Sequence, residues 1–174
     1  FREFKGNVAH SNYDGFMFDR NINPNNTFGV TGSSHQPKEN PADASSRTVE
    51  TVFADLTSYK NRNGGVWGRG EMHTFRNVKL ADNAIGYTHA SGNVGRDPFT
   101  SKVVDSLFVG ETENVGNPAV DAEKAYGRSL PKRLIPDFPI HGYQYYDYRV
   151  DVANTTFVNY QDNKLRKTGA LSFL

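Results

Sequence analysis

The segment Asp55-Leu-Thr-Ser-Tyr-Lys-Asn61 matches Asn77-Val-Lys-Leu-Ala-Asp-Asn83, and each is followed three residues later by a glycine, at Gly64 and Gly86. The offset between the two segments is 22 residues (77 − 55). A repeat of about this length, made of short strands and Asn/Gly corners, is typical of a parallel β-helix, in which each coil turns sharply and stacks on the next. The sequence therefore predicts an all-β solenoid.

Further copies of the repeat extend this interpretation along the chain. One is Gly6-Asn-Val-Ala-His-Ser-Asn12, and weaker ones begin at Asp105 and Asn154. The spacing is uneven because the intervening loops differ in length. Asn tolerates left-handed backbone and Gly has no steric penalty there, so we interpret one set of repeat residues as corner residues rather than as ligands. That set is Asn12, Asn61, Asn83, Gly15, Gly64 and Gly86.

Strands are predicted between these corners, and their apolar residues should stack along the core. The predicted strands are Gly15–Phe18, Thr51–Tyr59, Gly65–Trp67, Met72–Leu80, Ile85–Thr88, Val103–Val109, Tyr143–Tyr148, Arg149–Val158 and Ala170–Phe173. The predicted inward positions are Val8, Leu56, Val78, Leu80, Leu107 and Phe157. Two segments interrupt the repeat and are expected to form long polar loops on one side of the solenoid, Asn21–Arg47 and Asn114–Pro139.

Composition limits the possible function classes. The chain has 174 residues, which fits one domain, and 36% of them are hydrophobic, which predicts a thin core. A formal net charge of +1 gives no field that would favour nucleic acid. Without cysteine there is neither a disulfide framework nor a thiolate site. No apolar run approaches the roughly 18 residues of a membrane span. Because the chain starts at Phe1, we expect a fragment of a larger multidomain protein.

Several motifs, in order along nearly the whole chain, resemble the β-helical region of the family of cell migration-inducing hyaluronidase (CEMIP) and its transmembrane relative. They are Gly6-Asn-Val-Ala-His-Ser-Asn12, Tyr59-Lys-Asn61, Gly65-Val-Trp-Gly-Arg-Gly70, Ala81-Asp-Asn-Ala-Ile-Gly86, Ser106-Leu-Phe-Val-Gly-Glu111, Asn114-Val-Gly116, Phe138-Pro-Ile140 and Thr168-Gly-Ala-Leu-Ser-Phe173. The chain departs from the family at Tyr13-Asp-Gly15, at His141 and in the loop Asn21–Arg47.

The resemblance implies a right-handed parallel β-helix in an extracellular or cell-surface protein. It also implies an anionic polysaccharide, hyaluronan, as the partner, together with other domains of the parent chain. Members of the family differ in whether they cleave hyaluronan. Two alternatives remain open beside a binding or depolymerising segment, namely a structural β-helix scaffold for protein contacts and a polysaccharide lyase.

A groove for a polyanionic sugar needs cationic donors and aromatic rings that stack on sugar faces. Trp67 and Arg69 share one face of a predicted strand, since side chains alternate along a strand. The predicted substrate-binding residues lie close together in sequence and are Arg62, Trp67, Arg69, Arg76 and Lys79. The alternative for these residues is a solvated surface with Trp67 as a packing residue.

Cleavage would follow one of two routes. Hydrolysis needs two carboxyl groups at roughly 5–10 Å, and the candidates are Asp14, Asp19, Asp82, Glu111 and Asp147. Elimination needs a base near the uronate together with a group that neutralises its carboxylate, and the candidates are His10, His73, His89 and Tyr87. The preferred catalytic candidates are Asp82, Glu111, His10 and Asp147. Asp82 and Glu111 are expected at matching points of successive coils, where each could instead cap a turn.

Cofactor signals are weak. The five histidines lack zinc spacing, so no metal site is predicted from them. An oxygen-only Ca²⁺ site built from Asp, Asn and carbonyl groups at the corners stays open as an alternative, although no Asp-x-Asp-x-Asp-Gly loop supports it, and no cofactor is predicted. Two Asn-x-Thr tripeptides, Asn25-Asn-Thr27 and Asn154-Thr-Thr156, would permit glycosylation in a secretory pathway. At Asn154 the corner interpretation is preferred.

Overall fold

A computed structural model describes residues 3–18, 20–22, 25–30, 35–70, 72–91, 100–113, 138–162 and 167–174. All of its regular elements are short strands. They are β1 (Glu3–Lys5), β2 (Val8–His10), β3 (Asp14–Met17), β4 (Arg20–Ile22), β5 (Phe28–Val30), β6 (Thr51–Ala54), β7 (Thr57–Tyr59), β8 (Gly64–Gly70), β9 (His73–Arg76), β10 (Lys79–Ala81), β11 (Ile85–Ser91), β12 (Ser101–Val104), β13 (Leu107–Val109), β14 (Ile140–Asp147), β15 (Val150–Ala153), β16 (Thr156–Val158) and β17 (Thr168–Phe173).

Three parallel sheets of five strands organise the chain. Sheet A has the order β1-β6-β9-β12-β15, sheet B has β2-β7-β10-β13-β16, and sheet C has β3-β8-β11-β14-β17. Each run of three successive strands therefore adds one strand to every sheet, and we call these runs coils 1 to 5, namely β1–β3, β6–β8, β9–β11, β12–β14 and β15–β17. The all-β prediction is confirmed, and the strand order is compatible with a parallel β-helix.

The corner between sheets A and B is the same in all five coils. It has two residues, and the first is left-handed in each coil, with φ between 48° and 70°. These left-handed residues are Gly6, Asp55, Asn77, Asp105 and Asn154, the five positions at which the sequence repeat begins. The corner also divides each of four strands predicted as continuous, for example Thr51–Tyr59, which is β6 and β7 with the corner between them.

An asparagine ladder closes the corner between sheets B and C. Asn83 Oδ1 accepts from Asn61 N at 3.0 Å and from Asn61 Nδ2 at 2.9 Å. Asn61 Oδ1 accepts in turn from Asn12 N at 3.1 Å. Asn61 and Asn83 lie in this corner as predicted and are buried, with 1% and 3% of their surface exposed. The left-handed residues here, however, are Ser11, Lys60 and Asp82, each one position before the asparagine.

Glycines align next to this ladder, but Gly15, Gly64 and Gly86, which were predicted as corner residues, lie inside strands β3, β8 and β11. A Cβ at Gly86 would lie 2.4 Å from Gly142 O, and one at Gly65 would lie 2.6 Å from Gly86 O. The pairing of Ile85 with Gly64 makes Gly65 the partner of Gly86. The predicted equivalence of Gly64 and Gly86 was therefore wrong by one residue, because coil 2 has one more residue than coil 3 between asparagine and strand.

Aromatic and aliphatic side chains fill the space between the sheets. Phe53 and Phe75 stack at 4.3 Å between ring centroids, and Leu56, Val78 and Leu80 are buried as predicted. Val8 and Leu107, by contrast, are 61% and 38% exposed. Both residues lie on the outer face of sheet B. Their predicted inward orientation was therefore wrong, because the alternation of inward and outward side chains was assigned one residue out of step.

The segment predicted as the polar loop Asn21–Arg47 contains structure of its own. It includes the antiparallel hairpin β4–β5, in which Arg20 pairs with Val30. Farther along, His35 N donates to Arg69 O at 3.2 Å, and His35 Nδ1 lies 2.9 Å from His73 Nε2. The segment is thereby attached to β8 and β9. Most of the second predicted loop, Asn114–Pro139, lies outside the described residues.

Candidate functional site

The outer face of sheet C carries a cluster of aromatic and charged side chains. In β8, a Cβ at Gly68 would lie 2.7 Å from Tyr87 Oη, so Gly68 faces the core. Strand alternation then turns Trp67 and Arg69 outward, as predicted for these two residues. Both are partly buried.

A register shift in β14 brings two further residues to this face. His89 pairs with Tyr145, but the next residue, Ala90, pairs with Asp147. Tyr146 is thus the extra residue of a β-bulge, a feature that redirects side chains and is common near functional sites. We call Trp67, Arg69, Tyr146 and Asp147 the Trp67 cluster.

The cluster bridges coils 2 and 4, whose strands are about 10 Å apart because neighbouring strands lie about 4.8 Å apart. The coil between them presents Thr88 opposite Trp67 and Ala90 opposite Arg69. Because these side chains are small, they leave space on the outer side of sheet C at coil 3. The Trp67 and Tyr146 rings consequently meet at 5.2 Å between centroids with an interplanar angle of 65°.

Arg69 lies against both rings. Its Cζ is 4.8 Å from the Tyr146 ring centroid and 5.7 Å from that of Trp67, within the range of cation–π attraction. Arg69 Nη1 also lies 3.6 Å from Asp147 Oδ2, longer than the roughly 2.7–2.9 Å of a direct charge-assisted hydrogen bond. The exposed fractions of the two side chains are 18% and 25%. The guanidinium is therefore held in place at a surface that solvent still reaches.

A row of polar side chains continues from Trp67 along the same face. Trp67 is aligned with Thr88, and Thr88 with Gln144 of coil 4. Thr88 Oγ1 donates to Gln144 Oε1 at 3.1 Å, and both residues are buried. The partly exposed groups of the face are thus aromatic rings and a cation, which suit acidic sugars, whereas this hydroxyl and amide are buried beside them.

The other predicted binding residues lie elsewhere. Arg62 is in the corner before β8, Arg76 ends β9 in sheet A, and Lys79 begins β10 in sheet B. Arg76 and Lys79 are exposed. The structure therefore brings Trp67 and Arg69 together and leaves Arg62, Arg76 and Lys79 outside the Trp67 cluster.

Two catalytic candidates, Asp82 and Glu111, share the corner between sheets B and C. Asp82 Oδ1 accepts from Thr112 N at 2.8 Å, and Oδ2 accepts from Thr112 Oγ1 at 2.7 Å. Because Ala81 pairs with Val109, the match for Asp82 is Gly110, and the expected matching of Asp82 with Glu111 was wrong by one residue. Asp82 caps this corner, and a catalytic role for either carboxylate stays a prediction.

The remaining catalytic candidates are far apart in the fold. His10 is exposed on β2 of sheet B, where its ring stacks on Tyr59 at 4.8 Å. Asp147 belongs to the Trp67 cluster at the end of β14. Their catalytic roles also stay predictions.

Three candidate bases for elimination are inside the core. His73, His89 and Tyr87 have 0% of their surface exposed. Burial lowers the pKa of His73 and of His89 to about 3 and raises that of Tyr87 well above its ordinary value. His89 Nδ1 lies 2.9 Å from Tyr143 Oη. Tyr87 and His89 face the core from sheet C and His73 faces it from sheet A, so none of the three can contact a polymer.

Within the described ranges, no three His, Cys, Asp or Glu residues are grouped closely enough to hold a metal ion. The same part of the chain contains no helix of the length and apolarity that crossing a bilayer requires.

Sequence reasoning missed Tyr146 and Gln144. The run Tyr143-Gln-Tyr-Tyr146 has the composition of a strand, but simple alternation does not reveal which tyrosine faces outward. The bulge that decides this depends on pairing with β11, which is distant in sequence.

No family model matches the chain. Among curated proteins, it is 31% identical over 191 residues to the mouse cell migration-inducing and hyaluronan-binding protein, covering 98% of this chain and 14% of that protein. It is 31% identical over 192 residues to human cell surface hyaluronidase CEMIP2, with the same two coverages. It is 28% identical over 188 residues to the zebrafish (Danio rerio) cell surface hyaluronidase, covering 98% of this chain and 13% of that protein.

The chain therefore corresponds to a small part of the length of these relatives. With about 30% identity sustained over 98% of its residues, the chain belongs to the family of the cell migration-inducing and hyaluronan-binding protein and the cell surface hyaluronidases.

Proposed function

We propose that this chain is a hyaluronan-binding segment of an extracellular or cell-surface protein, and that the polysaccharide binds along the outer face of sheet C at the Trp67 cluster. The observation that carries the proposal is the placement of Arg69 beside the Trp67 and Tyr146 rings on the outer face of sheet C. Support also comes from relatives whose names state hyaluronan binding and hyaluronidase activity.

The fold suits an elongated ligand. We propose that the three sheets wind as a right-handed parallel β-helix, since connections between parallel strands of one sheet are right-handed in about 98% of cases. Stacked coils repeat one surface position along the stack, so partly exposed groups of different coils, such as Arg69 of coil 2 and Tyr146 of coil 4, can contact one polymer together.

Each group has a distinct role in this proposal. Hyaluronan has one carboxylate per disaccharide, and Arg69 supplies planar donors that match a carboxylate. Trp67 and Tyr146 supply apolar ring surface against sugar faces.

Binding is the activity that the described residues support best. Both Asp82 oxygens accept hydrogen bonds from Thr112, and Asp147 is near Arg69, so these carboxylates have structural partners. Cleavage, by hydrolysis or by elimination, stays a prediction for the parent protein.

The test is calorimetric titration with hyaluronan oligosaccharides of defined length, with chondroitin as the comparison polymer. Arg69→Ala should weaken binding about 10- to 100-fold, because a hydrogen bond to a charged group is worth roughly 1.5–3 kcal/mol. Trp67→Ala and Tyr146→Ala should each weaken it by about tenfold.

Arg76→Ala and Lys79→Ala are matched controls, since each removes one exposed positive charge outside the Trp67 cluster. They should leave the affinity within about twofold. Equal losses in Arg69→Ala and Arg76→Ala would indicate unspecific charge attraction. No binding by the folded wild-type chain would refute the proposal and favour the scaffold alternative.

A further inference from the structure

We propose that Asn25 is a site of N-linked glycosylation and that Asn154, which has the same Asn-x-Thr pattern, is not. The proposal rests on the extracellular location proposed above and goes beyond sugar binding, since here the chain receives a sugar covalently. The two tripeptides differ in where the fold places the nitrogen that would be modified.

Asn25 lies outside the three sheets, in the connection between β4 and β5. Asn25, Asn26 and Thr27 are all exposed. Asn26 is left-handed, with φ 61°, so the chain turns here. A large substituent at this turn would meet solvent and would leave the hydrogen bonds of sheets A, B and C unchanged.

The Asn25 carboxamide is held by its own tripeptide. Its Oδ1 accepts from Thr27 N at 3.1 Å and from Thr27 Oγ1 at 2.6 Å. Both bonds engage the oxygen. Within the described part of the chain, Asn25 Nδ2 has no hydrogen bond, so the nitrogen remains available while the hydroxyl that the motif requires lies beside the carboxamide.

Asn154 is built into the stack instead. It is the left-handed residue of the first corner of coil 5, with φ 48°. Its Nδ2 donates to Asp105 Oδ1 of coil 4 at 3.2 Å, as Asn77 Nδ2 donates to Asp55 Oδ1 at 2.7 Å between coils 3 and 2. A sugar on Asn154 Nδ2 would be placed against the neighbouring corner and would compete with this bond.

Transfer to Asn25 uses an oligosaccharyl diphospho-lipid donor. Asn25 Nδ2 forms a bond to the anomeric carbon of the first sugar, and the bond from that carbon to the diphosphate oxygen breaks. The diphospho-lipid leaves with the bonding electron pair, and Nδ2 loses one proton to the transferase. The Thr27 hydroxyl is required for recognition but is not consumed.

The test is expression of the chain behind a secretion signal in a eukaryotic host, with analysis of both medium and cell extract. Enzymatic deglycosylation in ¹⁸O water followed by peptide mass spectrometry locates each modified asparagine. The wild type and Asn154→Gln should carry one glycan at Asn25. Asn25→Gln and Thr27→Val should carry none, and Thr27→Ser should regain it.

Asn26→Gly is the matched control, because it alters the same turn, keeps the tripeptide pattern and suits the positive φ. It should keep the glycan. An unmodified wild type, or a glycan found at Asn154 with or without one at Asn25, would overturn the proposal. Because the fused signal supplies export, neither result depends on where the natural protein resides or on its affinity for hyaluronan.

Discussion

Single polar residues decide whether the coils stack in register. Asn83 accepts two hydrogen bonds from Asn61, and its Nδ2 donates to Ser58 O at 3.0 Å. One side chain thereby satisfies groups on a neighbouring coil that are shielded from water. A buried polar group without a partner costs roughly 1–3 kcal/mol. Residues such as Asn83 therefore contribute strongly to the free energy of unfolding.

We therefore expect Asn83→Ala to lower the free energy of unfolding by about 2–5 kcal/mol, because it leaves several buried groups of Asn61 and Ser58 without a partner. Urea denaturation followed by circular dichroism measures the change. Asn12→Ala is the control: Asn12 is exposed, and its backbone bond to Asn61 Oδ1 survives the substitution. Equal losses in the two variants would contradict the ladder as the cause.

At the scale of elements, histidines connect the insertion to the sheets. His35 comes from the segment between β5 and β6, and His73 is the first residue of β9. Burial lowers the pKa of both rings, and the nearby His35 lowers that of His73 further. His89 in β11 has a pKa of about 3 for the same reason, its burial.

This arrangement predicts a loss of stability in acid. The folded-state pKa values of His73 and His89 are about 3, below the ordinary 6.5, so the unfolded chain takes up protons that the folded chain does not. Above pH 6.5 the free energy of unfolding should have its full value. Between pH 6.5 and 3 it should fall by about 1.4 kcal/mol per pH unit for each of the two histidines.

Denaturation midpoints measured across this pH range test the prediction. His89→Phe should flatten the slope whatever its effect on stability at neutral pH. Phe108→Leu, a variant of a buried core residue whose ring contacts Phe157, should shift all midpoints but keep the slope. A wild-type midpoint that stays constant down to pH 4 would show that these histidines are protonated in the folded chain.

At the scale of the whole molecule, coil 5 leaves one end of each sheet unpaired within the described chain. Leu171 and Phe173 on β17 are 66% and 81% exposed. Unpaired strand edges with apolar side chains favour pairing with other chains.

We expect the purified chain to self-associate in a concentration-dependent manner, because a second copy can cover this end. Sedimentation velocity should show larger species for the wild type and mainly monomer for the pair Leu171→Lys, Phe173→Lys. Thr57→Lys adds charge to β7 in coil 2, away from this end, and should not change the association. Monomeric wild type at high concentration would contradict the prediction.

The repeat could be predicted from the sequence because Asn61 and Asn83 recur at the same point of successive coils. The corner between sheets A and B could not, since Asp55, Asn77 and Asp105 begin the repeat but were placed inside continuous strands. The orientation of Val8 could not be predicted either. A one-residue shift moves every side chain of a strand to the opposite face of the sheet, and a strand of three residues shows too few alternations to fix the choice. Tyr146 was not predicted for a different reason. Its outward orientation depends on a bulge, and the bulge depends on pairing between β11 and β14, which are distant in sequence.

The constant corner between sheets A and B has an evolutionary consequence. It has two residues in every coil, whereas the described connections from sheet B to sheet C and from sheet C to sheet A vary in length, from the two residues between β8 and β9 to the long segment that carries β4 and β5. Relatives can therefore gain, lose or exchange segments at the connections from sheet B to sheet C and from sheet C to sheet A. The constant corner between sheets A and B meanwhile keeps successive coils in register. For protein engineering, those two connections are the places to graft foreign loops.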